Sequence, residues 1–359
     1  MLYRESGQYK TSYIADQAIF PIREDRIGMG LIGLAAVCIP FFASDFFLNA
    51  IMTPFLILAL AAIGLNILTG YAGQLSLGTG AFMGVGAYSC YKLTSIFPDV
   101  NIIVLVLASG LFSAAIGVVF GLPSLRIKGL YLAVTTLAAQ FFLEWCFIRI
   151  PWLYNYNSSG AIEVPERRGF GDVILTGPSA SAMTQYFVVL GIVVAITLAV
   201  KNIVRGRIGR QWMMIRDMDI AAELMGVRPL TAKLSAFAVS SYLCGVAGAM
   251  FIFFYLGAAE PSAFSITLSF QVLFMVILGG LGSLVGSFFG AAFIWGLPIV
   301  LRAGLPALGI GIAAETVFHI ATMIVGALII FFLIVEPHGL ARLWSLGKEK
   351  LRVWPFPYG

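Results

Sequence analysis

The chain has 359 residues, of which 60% are hydrophobic and only 11% charged, and its mean hydropathy is +0.96. A soluble domain carries about a quarter charged residues, so this composition excludes a soluble protein and indicates an integral membrane protein. The net charge of +5 does not indicate a nucleic-acid partner, because the basic residues lie in turns between apolar runs, as the positive-inside bias explains.

The first 27 residues are polar and charged, without the basic start and apolar core of a cleaved signal peptide. We therefore expect residues 1–27 to form a cytoplasmic amphipathic arm. Residues 28–335 are predicted to form one transmembrane helical bundle, and residues 336–359 a cytoplasmic C-terminal tail.

Uncharged stretches predict the number of membrane crossings, since a helix needs about 20 apolar residues to span the hydrocarbon core. Phe46–Tyr91 and Pro261–Leu301 contain no charge, and each is long enough for two crossings joined by glycine-rich turns at 70–73 and 279–282. Single runs lie at 28–44, 101–122, 129–149, 183–201, 234–256 and 315–335. The sequence thus predicts an all-α integral membrane protein with about ten transmembrane helices.

The distribution of lysine and arginine predicts the orientation. A cytoplasmic N-terminus places 17 of the 22 basic residues inside. The five left outside are Lys92, Arg149, Arg167, Arg168 and Arg302. We therefore expect both termini in the cytoplasm, a periplasmic loop at 150–182 with a short helix or hairpin, and a cytoplasmic loop at 202–233.

The sequence offers no catalytic or metal site. It contains no G-x-x-x-x-G-K-[ST] phosphate loop, so we expect no ATP or other cofactor on this chain. His319 and His338 are too scattered to bind a metal. The cysteines lie in or beside apolar runs and are assigned to packing: Cys38, Cys90, Cys146 and Cys244.

The cytoplasmic loop contains the pattern of a short helix. Acidic residues suit a helix N-terminus, alanines continue it, and a glycine ends it. The residues of this candidate coupling helix are Arg216, Asp217, Asp219, Ala221, Ala222, Glu223 and Gly226. Such a helix could fit a groove on a partner protein and carry its movement into the bundle. A solvated interfacial helix is the alternative.

This pattern resembles the EAA-type loop of bacterial ABC permeases, in which Glu-Ala-Ala is followed three residues later by glycine. Ala221, Ala222 and Gly226 match, whereas Ile220 takes the glutamate position. That departure is usual in the LivM-like permeases of branched-chain amino acid importers. Further motifs of that family lie at 64–66, 70–78, 129–133, 279–283 and Gly286, so the resemblance extends over about residues 28–340.

The resemblance implies a type II importer-like permease with inverted-repeat architecture in the bacterial inner membrane. It implies four kinds of partner besides membrane lipid: a second, LivH-like permease, two ABC ATPase subunits that hold ATP and Mg, and a periplasmic substrate-binding protein. The implied substrates are branched-chain amino acids. Related systems carry urea, short amides, or aromatic and other organic acids.

Polar residues interrupt the apolar run between Thr69 and Gly80, which is tolerated inside a membrane only if the break lines protein or a water-filled path. The candidates for the translocation path are Asn66, Gln74 and Ser76, with Thr135, Thr136 and Gln140 as a second group. Hydrogen bonding between helices is the alternative role of these side chains.

Small residues four apart let helices approach closely in lipid. This spacing predicts tight helix packing at Gly80, Gly84, Gly117, Gly121, Gly282, Gly286 and Gly290.

Two other transport mechanisms stay open. A secondary transporter acting alone could use Glu144 or Glu315 for proton coupling, with two inverted halves. Glu260 is a third carboxylate near a span. Interfacial anchoring or ion pairing is the alternative for these carboxylates. A passive channel would need a charged or carbonyl filter motif that the sequence lacks.

Overall fold

A computed structural model describes residues 11–12, 23–124, 131–157, 161–169, 173–307, 314–335 and 339–353. Most of the predicted N-terminal arm and part of the C-terminal tail, including His338, therefore lie outside the described residues. The domain boundaries of the sequence analysis stay predictions.

Helices make up most of the described chain. In chain order they are α1 (Arg23–Phe42), α2 (Asp45–Tyr71), α3 (Thr79–Ile96), α4 (Ile102–Ser124), α5 (Tyr131–Arg149), α6 (Ala182–Arg205), α7 (Arg207–Asp217), α8 (Asp219–Leu224), α9 (Pro229–Leu256), α10 (Ile266–Gly279), α11 (Leu284–Ala307), α12 (Ala314–Val335) and α13 (Gly339–Val353). Helix α2 contains π-helical turns at Leu48–Met52 and Ile67–Tyr71, and α9 ends in a third at Ile252–Leu256. Short 3-10 helices occupy Pro151–Tyr154 and Pro261–Phe264.

Within the described residues, seven helical stretches are long and apolar enough to cross a membrane. They are α2, α4, α5, α6, α9, α11 and the stretch Pro261–Gly279, which includes α10. The apolar parts of α1 and α12 are shorter, and α3 is less apolar because glycine, hydroxyl residues and Lys92 interrupt it. Every predicted span thus falls on a helix, while the predicted number of ten crossings exceeds the seven that length and hydropathy identify.

Helices α2 and α9 form the centre of the bundle. In the most apolar 18-residue segment of each helix, 83% of the residues are buried. The corresponding fraction is 28–39% in α4, α5, α6 and α11. Between Thr53 and Asn66 every residue of α2 except Phe55 is buried. A helix that is apolar on all sides has no face suited to water and is enclosed by other helices. The outer helices consequently direct one side to the core and the other to lipid.

Glycines allow α9 to approach its neighbours closely. Gly245 and Gly248 of α9 lie against the backbone of α3 at Gly86 and Met83, with no room for a Cβ atom. Gly64 of α2 also lies close to α9, where a Cβ atom would be 3.0–3.1 Å from Leu243, Cys244 and the Ser240 carbonyl. Because lipid provides no hydrophobic drive for helix association, such backbone proximity and the dispersion contacts it permits hold these helices together.

The glycines named from the sequence occupy several different contacts. Gly117 and Gly121 of α4 face α9, whereas Gly80 and Gly84 of α3 face the segment around Phe264. Two others, Gly286 and Gly290 of α11, lie against the backbone of α10. Gly282 differs from the prediction of a helix-packing residue. It lies in the turn between α10 and α11 with a φ of +76°, a conformation that favours glycine.

The loop at 150–182, predicted to be periplasmic, contains both a 3-10 helix and a hairpin, and adds a small β component to the all-α prediction. The four strands are β1 (Ile162–Glu163), β2 (Arg167–Arg168), β3 (Ile174–Thr176) and β4 (Ala258–Ala259). Strand β1 pairs antiparallel with β4, which follows α9, and β2 pairs with β3. Arg167 donates to the carbonyls of Thr94 and Pro98, so the hairpin satisfies acceptors at and just beyond the C-terminal end of α3.

We expect Gly248→Ala to destabilise the bundle, because its Cβ would collide with the Met83 carbonyl group. Overpacking of this kind costs about 1–3 kcal/mol. The melting temperature of the purified chain in detergent should fall. Gly191→Ala on α6 is the matched control, since a Cβ there meets nothing within 4 Å. Equal melting temperatures for the two variants would contradict the proposed packing.

Candidate functional site

The polar interruption between α2 and α3 is a non-helical break. After the π-helical turn Ile67–Tyr71, residues Ala72–Gly78 are not helical, and α3 starts at Thr79. The backbone groups of such a segment need partners within the protein.

Gln140 of α5 and Ser269 of α10 supply partners at the start of α3. The Oε1 atom of Gln140 accepts from the amide of Ala81 at 2.7 Å, and Ser269 Oγ accepts from the amide of Gly80 at 2.7 Å. Ser269 also donates to Gln140 at 2.9 Å, and Gln140 Nε2 donates to the carbonyl of Phe264 at 2.7 Å. These two side chains cap the N-terminus of α3, where amides lack intrahelical acceptors.

The second group of candidate path residues therefore lies beside the break. Thr136 is fully buried and accepts from the amide of Leu77 at 3.0 Å. Thr135 is half-buried on the same helix. Ser76, also buried, accepts from the amide of Gly78 at 3.4 Å. The hydrogen bonds of Thr136 and Gln140 match the interhelical role that the sequence analysis kept as an alternative.

Asn66 connects α2 to the turn between α10 and α11. Its amide nitrogen donates to the Ser283 carbonyl and to Ser287 Oγ, both at 2.9 Å, and its oxygen accepts from the Gly282 amide at 2.8 Å. The side chain is fully buried. These hydrogen bonds connect helix α2 to the α10–α11 turn and to the first turn of α11.

Arg216 joins α7 to the same place. Its Nη1 atom donates to the Gly70 carbonyl at 2.8 Å, and its Nε atom pairs with Asp217 at 2.8 Å. Gly70 lies so close to the backbone of Gly282 that a Cβ atom would collide with it. We refer to Asn66, Gly70, Arg216 and the turn Gly280–Ser283 as the inner junction. It links the last turn of α2 to both α7 and the α10–α11 turn.

Gln74 is the polar side chain of the break whose bonding is incomplete. It is buried, and neither amide atom has a hydrogen-bond partner among the described residues. A buried amide without a partner is costly, and most such groups in native proteins bind water, a ligand or another chain. Its neighbour Leu75 is 38% exposed. The amide group of Gln74 is therefore the part of the break that can still form hydrogen bonds to water, a ligand or another chain.

The candidate coupling helix corresponds to α8. Its C-terminal glycine has a φ of +86° at Gly226, and the amide of Val227 donates to the Ala222 carbonyl at 3.0 Å, which closes the helix as predicted for a glycine. Asp219 lies in the first turn. Arg216 and Asp217 are instead the last two residues of α7, because Met218 adopts an extended conformation that separates the two helices.

Large apolar side chains project from α8 and its ends. Only Ala222 of this helix is buried, whereas Ala221 is half-buried and Glu223 is exposed. We define the α8 surface by four side chains that are 64–86% exposed, namely Met218, Ile220, Leu224 and Met225. Exposed apolar groups that are contiguous mark an interaction site.

The other titratable candidates are dispersed. Among the described residues no group of three or more His, Cys, Asp or Glu side chains could hold a metal ion. Glu144 is half-buried on α5, Glu260 is exposed, and Glu315 lies in the first turn of α12. His319 is exposed. The absence of a metal or cofactor site on this chain stays a prediction.

Sequence reasoning missed the partners of the candidate residues. Ser269, Ser283 and Ser287 are hydroxyls within or beside uncharged apolar runs, and that isolation could have marked them. Arg167 could be found only from the fold, because its partners Thr94 and Pro98 lie about 70 residues earlier, at separations of 73 and 69.

A family model described as "Branched-chain amino acid transport system / permease component" matches residues 47–333, and the chain belongs to this family. The seven apolar helices among the described residues and this family membership make it a multi-pass protein of the inner membrane. The resemblance stated from the motifs is thereby confirmed.

Two curated relatives carry the name high-affinity branched-chain amino acid transport system permease protein LivM, one from Salmonella typhimurium (strain LT2) and one from Escherichia coli (strain K12). Each is 32% identical over 270 residues, which cover 69% of this chain and 62% of the relative. The chain therefore spans a little less than two thirds of the length of these relatives. No solved structure matches it.

We expect Asn66→Ala to lower the melting temperature of the chain, because it leaves the Gly282 amide and the Ser283 carbonyl without their partner. Buried groups orphaned in this way cost about 1–3 kcal/mol each. Asn49→Ala, at an exposed position near the start of the same helix, is the control. A variant that melts like the parent but transports poorly would instead assign Asn66 to the translocation path.

Proposed function

We propose that this chain is the membrane-spanning permease subunit of an ABC importer. It would pair with a second, LivH-like permease and receive force from two ATPase subunits that hold ATP and Mg. A periplasmic binding protein would deliver the substrate. The names of the LivM relatives and the family description support this assembly.

The α8 surface carries the proposal. Four exposed apolar side chains surround a short helix whose end is fixed by Gly226, on the loop that carries the most basic residues. Exposed apolar side chains do not stabilise a lone solvated helix. A helix that enters a groove on an ATPase subunit buries these side chains and is stabilised by their removal from water. This favours docking over the alternative of a free interfacial helix.

The proposed topology is ten crossings with both termini in the cytoplasm of a bacterial cell. Helices α1, α3 and α12 would complete the count, with α3 crossing together with the break Ala72–Gly78. The basic asymmetry of the loops supports this orientation. The inverted-repeat, type II importer-like arrangement is likewise proposed from the family resemblance.

Force would pass from α8 through α7 to the inner junction. Arg216 is the last basic residue of α7, and its guanidinium group donates a hydrogen bond to the Gly70 carbonyl in the final turn of α2. A movement of α7 therefore displaces the helix that precedes the break. Since Asn66 ties the same turn to α10 and α11, the displacement would extend to that hairpin.

The break would line the translocation path, with Gln74 as the side chain that bonds water or substrate there. We propose branched-chain amino acids as substrates because both relatives are named for them. Urea, short amides and aromatic or other organic acids remain the second candidate class, since the binding protein selects the cargo in such systems.

Reconstitution in vesicles tests the importer mechanism. With the second permease, the ATPase subunits and the binding protein, labelled leucine should accumulate only when ATP is supplied. If the chain alone accumulates leucine on a proton gradient, it is a secondary transporter, and Glu144 or Glu315 becomes its coupling group. A panel with urea, acetamide and benzoate distinguishes the substrate classes.

We expect Leu224→Asp to abolish docking of the ATPase subunits. Leu224 is 86% exposed, so the chain should fold normally, and loss of a central apolar contact typically weakens binding by about 30-fold or more. Copurification of the ATPase subunits measures the effect. Val173→Asp, an equally drastic change at an exposed position of the outer loop, should leave copurification unchanged.

Arg216→Ala should leave the ATPase subunits bound but lower uptake about tenfold or more, because hydrogen bonds to charged groups are worth about 1.5–3 kcal/mol. Arg216→Lys should restore part of the uptake, since one ammonium donor can still reach the Gly70 carbonyl. Arg210→Ala, on the same helix, is the control. Normal uptake by Arg216→Ala would refute the transmission role.

A further inference from the structure

Tyr88 of α3 is a buried tyrosine whose hydroxyl group has no partner. The residue is 1% exposed, and its hydroxyl forms no hydrogen bond with any described residue. A buried hydroxyl without a partner is costly, and most such groups in native proteins bind water, a ligand or another chain. Tyr88 follows Gln74 by fourteen residues, on the helix that continues from the break. A second polar side chain that can still form hydrogen bonds therefore lies on the same segment.

Packing against two aromatic rings fixes the position of the Tyr88 ring. It is stacked on Phe147 of α5, with ring centroids 4.6 Å apart and an interplanar angle of 8°. It also meets Phe264 edge-on, with centroids 6.5 Å apart. Gly84, one turn earlier on α3, leaves the space that Phe147 occupies, because a Cβ atom there would be 2.6 Å from Phe147 Cε2. The hydroxyl is thus positioned by packing and not by a hydrogen bond.

Glu260 lies near this ring. It directly precedes the 3-10 helix Pro261–Phe264, and its carbonyl accepts from the amide of Ala263 at 3.1 Å. At about 2 Å per residue, four residues of a 3-10 helix place the backbone of Glu260 within about 8 Å of the backbone of Phe264. The ring of Phe264 packs against Tyr88. The charge of Glu260 accordingly acts on the Tyr88 hydroxyl.

The Glu260 carboxylate is available to a ligand. Strand β4, which immediately precedes Glu260, pairs with β1, so the backbone at this position is held on both sides. The side chain is exposed and forms no hydrogen bond or ion pair within the described part of the chain. Lys92, the one basic residue of α3, donates to Asn155 and lies 4.4 Å from the centroid of the Trp152 ring. It therefore does not pair with Glu260.

We propose that Tyr88 and Glu260 form a binding site for the ammonium group of the substrate on the proposed periplasmic side. An ammonium group has three N–H donors and no acceptor, so a carboxylate and a phenolic oxygen are suitable partners. Glu260 would repel a substrate carboxylate, so an amino acid would enter with its ammonium group toward these residues. The inference rests on the proposed function for its substrate, and it adds a contact that precedes Gln74 on the path.

The 3-10 helix Pro261–Phe264 closes this ammonium site in the present conformation. Phe264 is fully buried against Tyr88, whereas Glu260, just before the helix, is exposed. A substrate that arrives from outside would meet the Glu260 carboxylate first. It would reach the Tyr88 hydroxyl once Phe264 has moved aside.

The test measures ligand binding by the complex of this chain with its second permease and the ATPase subunits. The complex is placed in nanodiscs without the binding protein, in its nucleotide-free and its vanadate-trapped form. We expect isoamylamine, which keeps the side chain and the ammonium group of leucine, to displace labelled leucine. Isocaproate, which keeps the side chain and the carboxylate, should displace it at least about tenfold less effectively, because hydrogen bonds to a charged group are worth that factor or more.

Two conservative variants assign the binding to these residues. Tyr88→Phe removes only the hydroxyl and should weaken the binding of leucine and isoamylamine about tenfold. Glu260→Gln removes only the charge and should weaken both about fivefold, as expected for an exposed ion pair. The matched controls are Tyr91→Phe, half-buried on the same helix, and Glu163→Gln, exposed on β1, and both should bind leucine like the parent complex.

The melting temperature of Tyr88→Phe is a second measurement. Because the hydroxyl has no partner among the described residues, its removal should not lower the melting temperature. A lower melting temperature would show that the hydroxyl has a structural partner, which would overturn the proposal. Unchanged leucine affinity in both variants, equal displacement by the two analogues, or no leucine binding by the parent complex would overturn it as well.

Leucine uptake by vesicles, measured in parallel, separates this proposal from the importer assignment. If the complete parent complex takes up leucine with ATP while both variants bind leucine normally, the importer assignment stands and the ammonium site is rejected. If the chain alone accumulates leucine on a proton gradient while both variants bind leucine weakly, the ammonium site stands and the ATP-driven mechanism is rejected.

Discussion

Hydrogen bonding of the break between α2 and α3 is the constraint on which the arrangement of the inner helices depends. A non-helical backbone within a membrane bundle must find its partners in the protein. Helix α5 provides Thr136 and Gln140, and α10 provides Ser269. Because these partners come from two other helices, neither can rotate about its axis without exposing amides of α3. The break therefore fixes the relative rotation of three helices.

The central contacts and the peripheral ones differ in kind. Around α9, helices meet backbone to backbone at glycines such as Gly245 and Gly248, with no side chain to adjust. At the inner junction, where Gly70 also lies against the backbone of Gly282, Asn66 and Arg216 add side-chain hydrogen bonds. Packed backbones transmit displacement as rigid units, whereas side-chain bonds can exchange partners. The inner junction thus adds side-chain hydrogen bonds to backbone contacts of the kind found around α9.

The sequence predicted the helical intervals, the two turns within uncharged runs and the short helix at α8, because these depend on local composition. It assigned Asn66 and Gln140 to a path or to interhelical bonds without deciding between them, because the partner groups lie far away in the chain. For Asn66 the separation from Ser283 is 217 residues. Gly282 and Asp217 differ from prediction because turn geometry and an extended Met218 override spacing.

The backbone proximity of α10 and α11 has a mechanical consequence. Gly286 and Gly290 lie directly against the α10 backbone, so no side chain separates the two helices at these positions. Helices α10 and α11 therefore form a rigid hairpin, whose turn is Gly280–Ser283. Because Gly339 of α13 packs against the same turn, a small rotation of the hairpin would also move the C-terminal helix. The position of α13 therefore depends on the orientation of the α10–α11 hairpin.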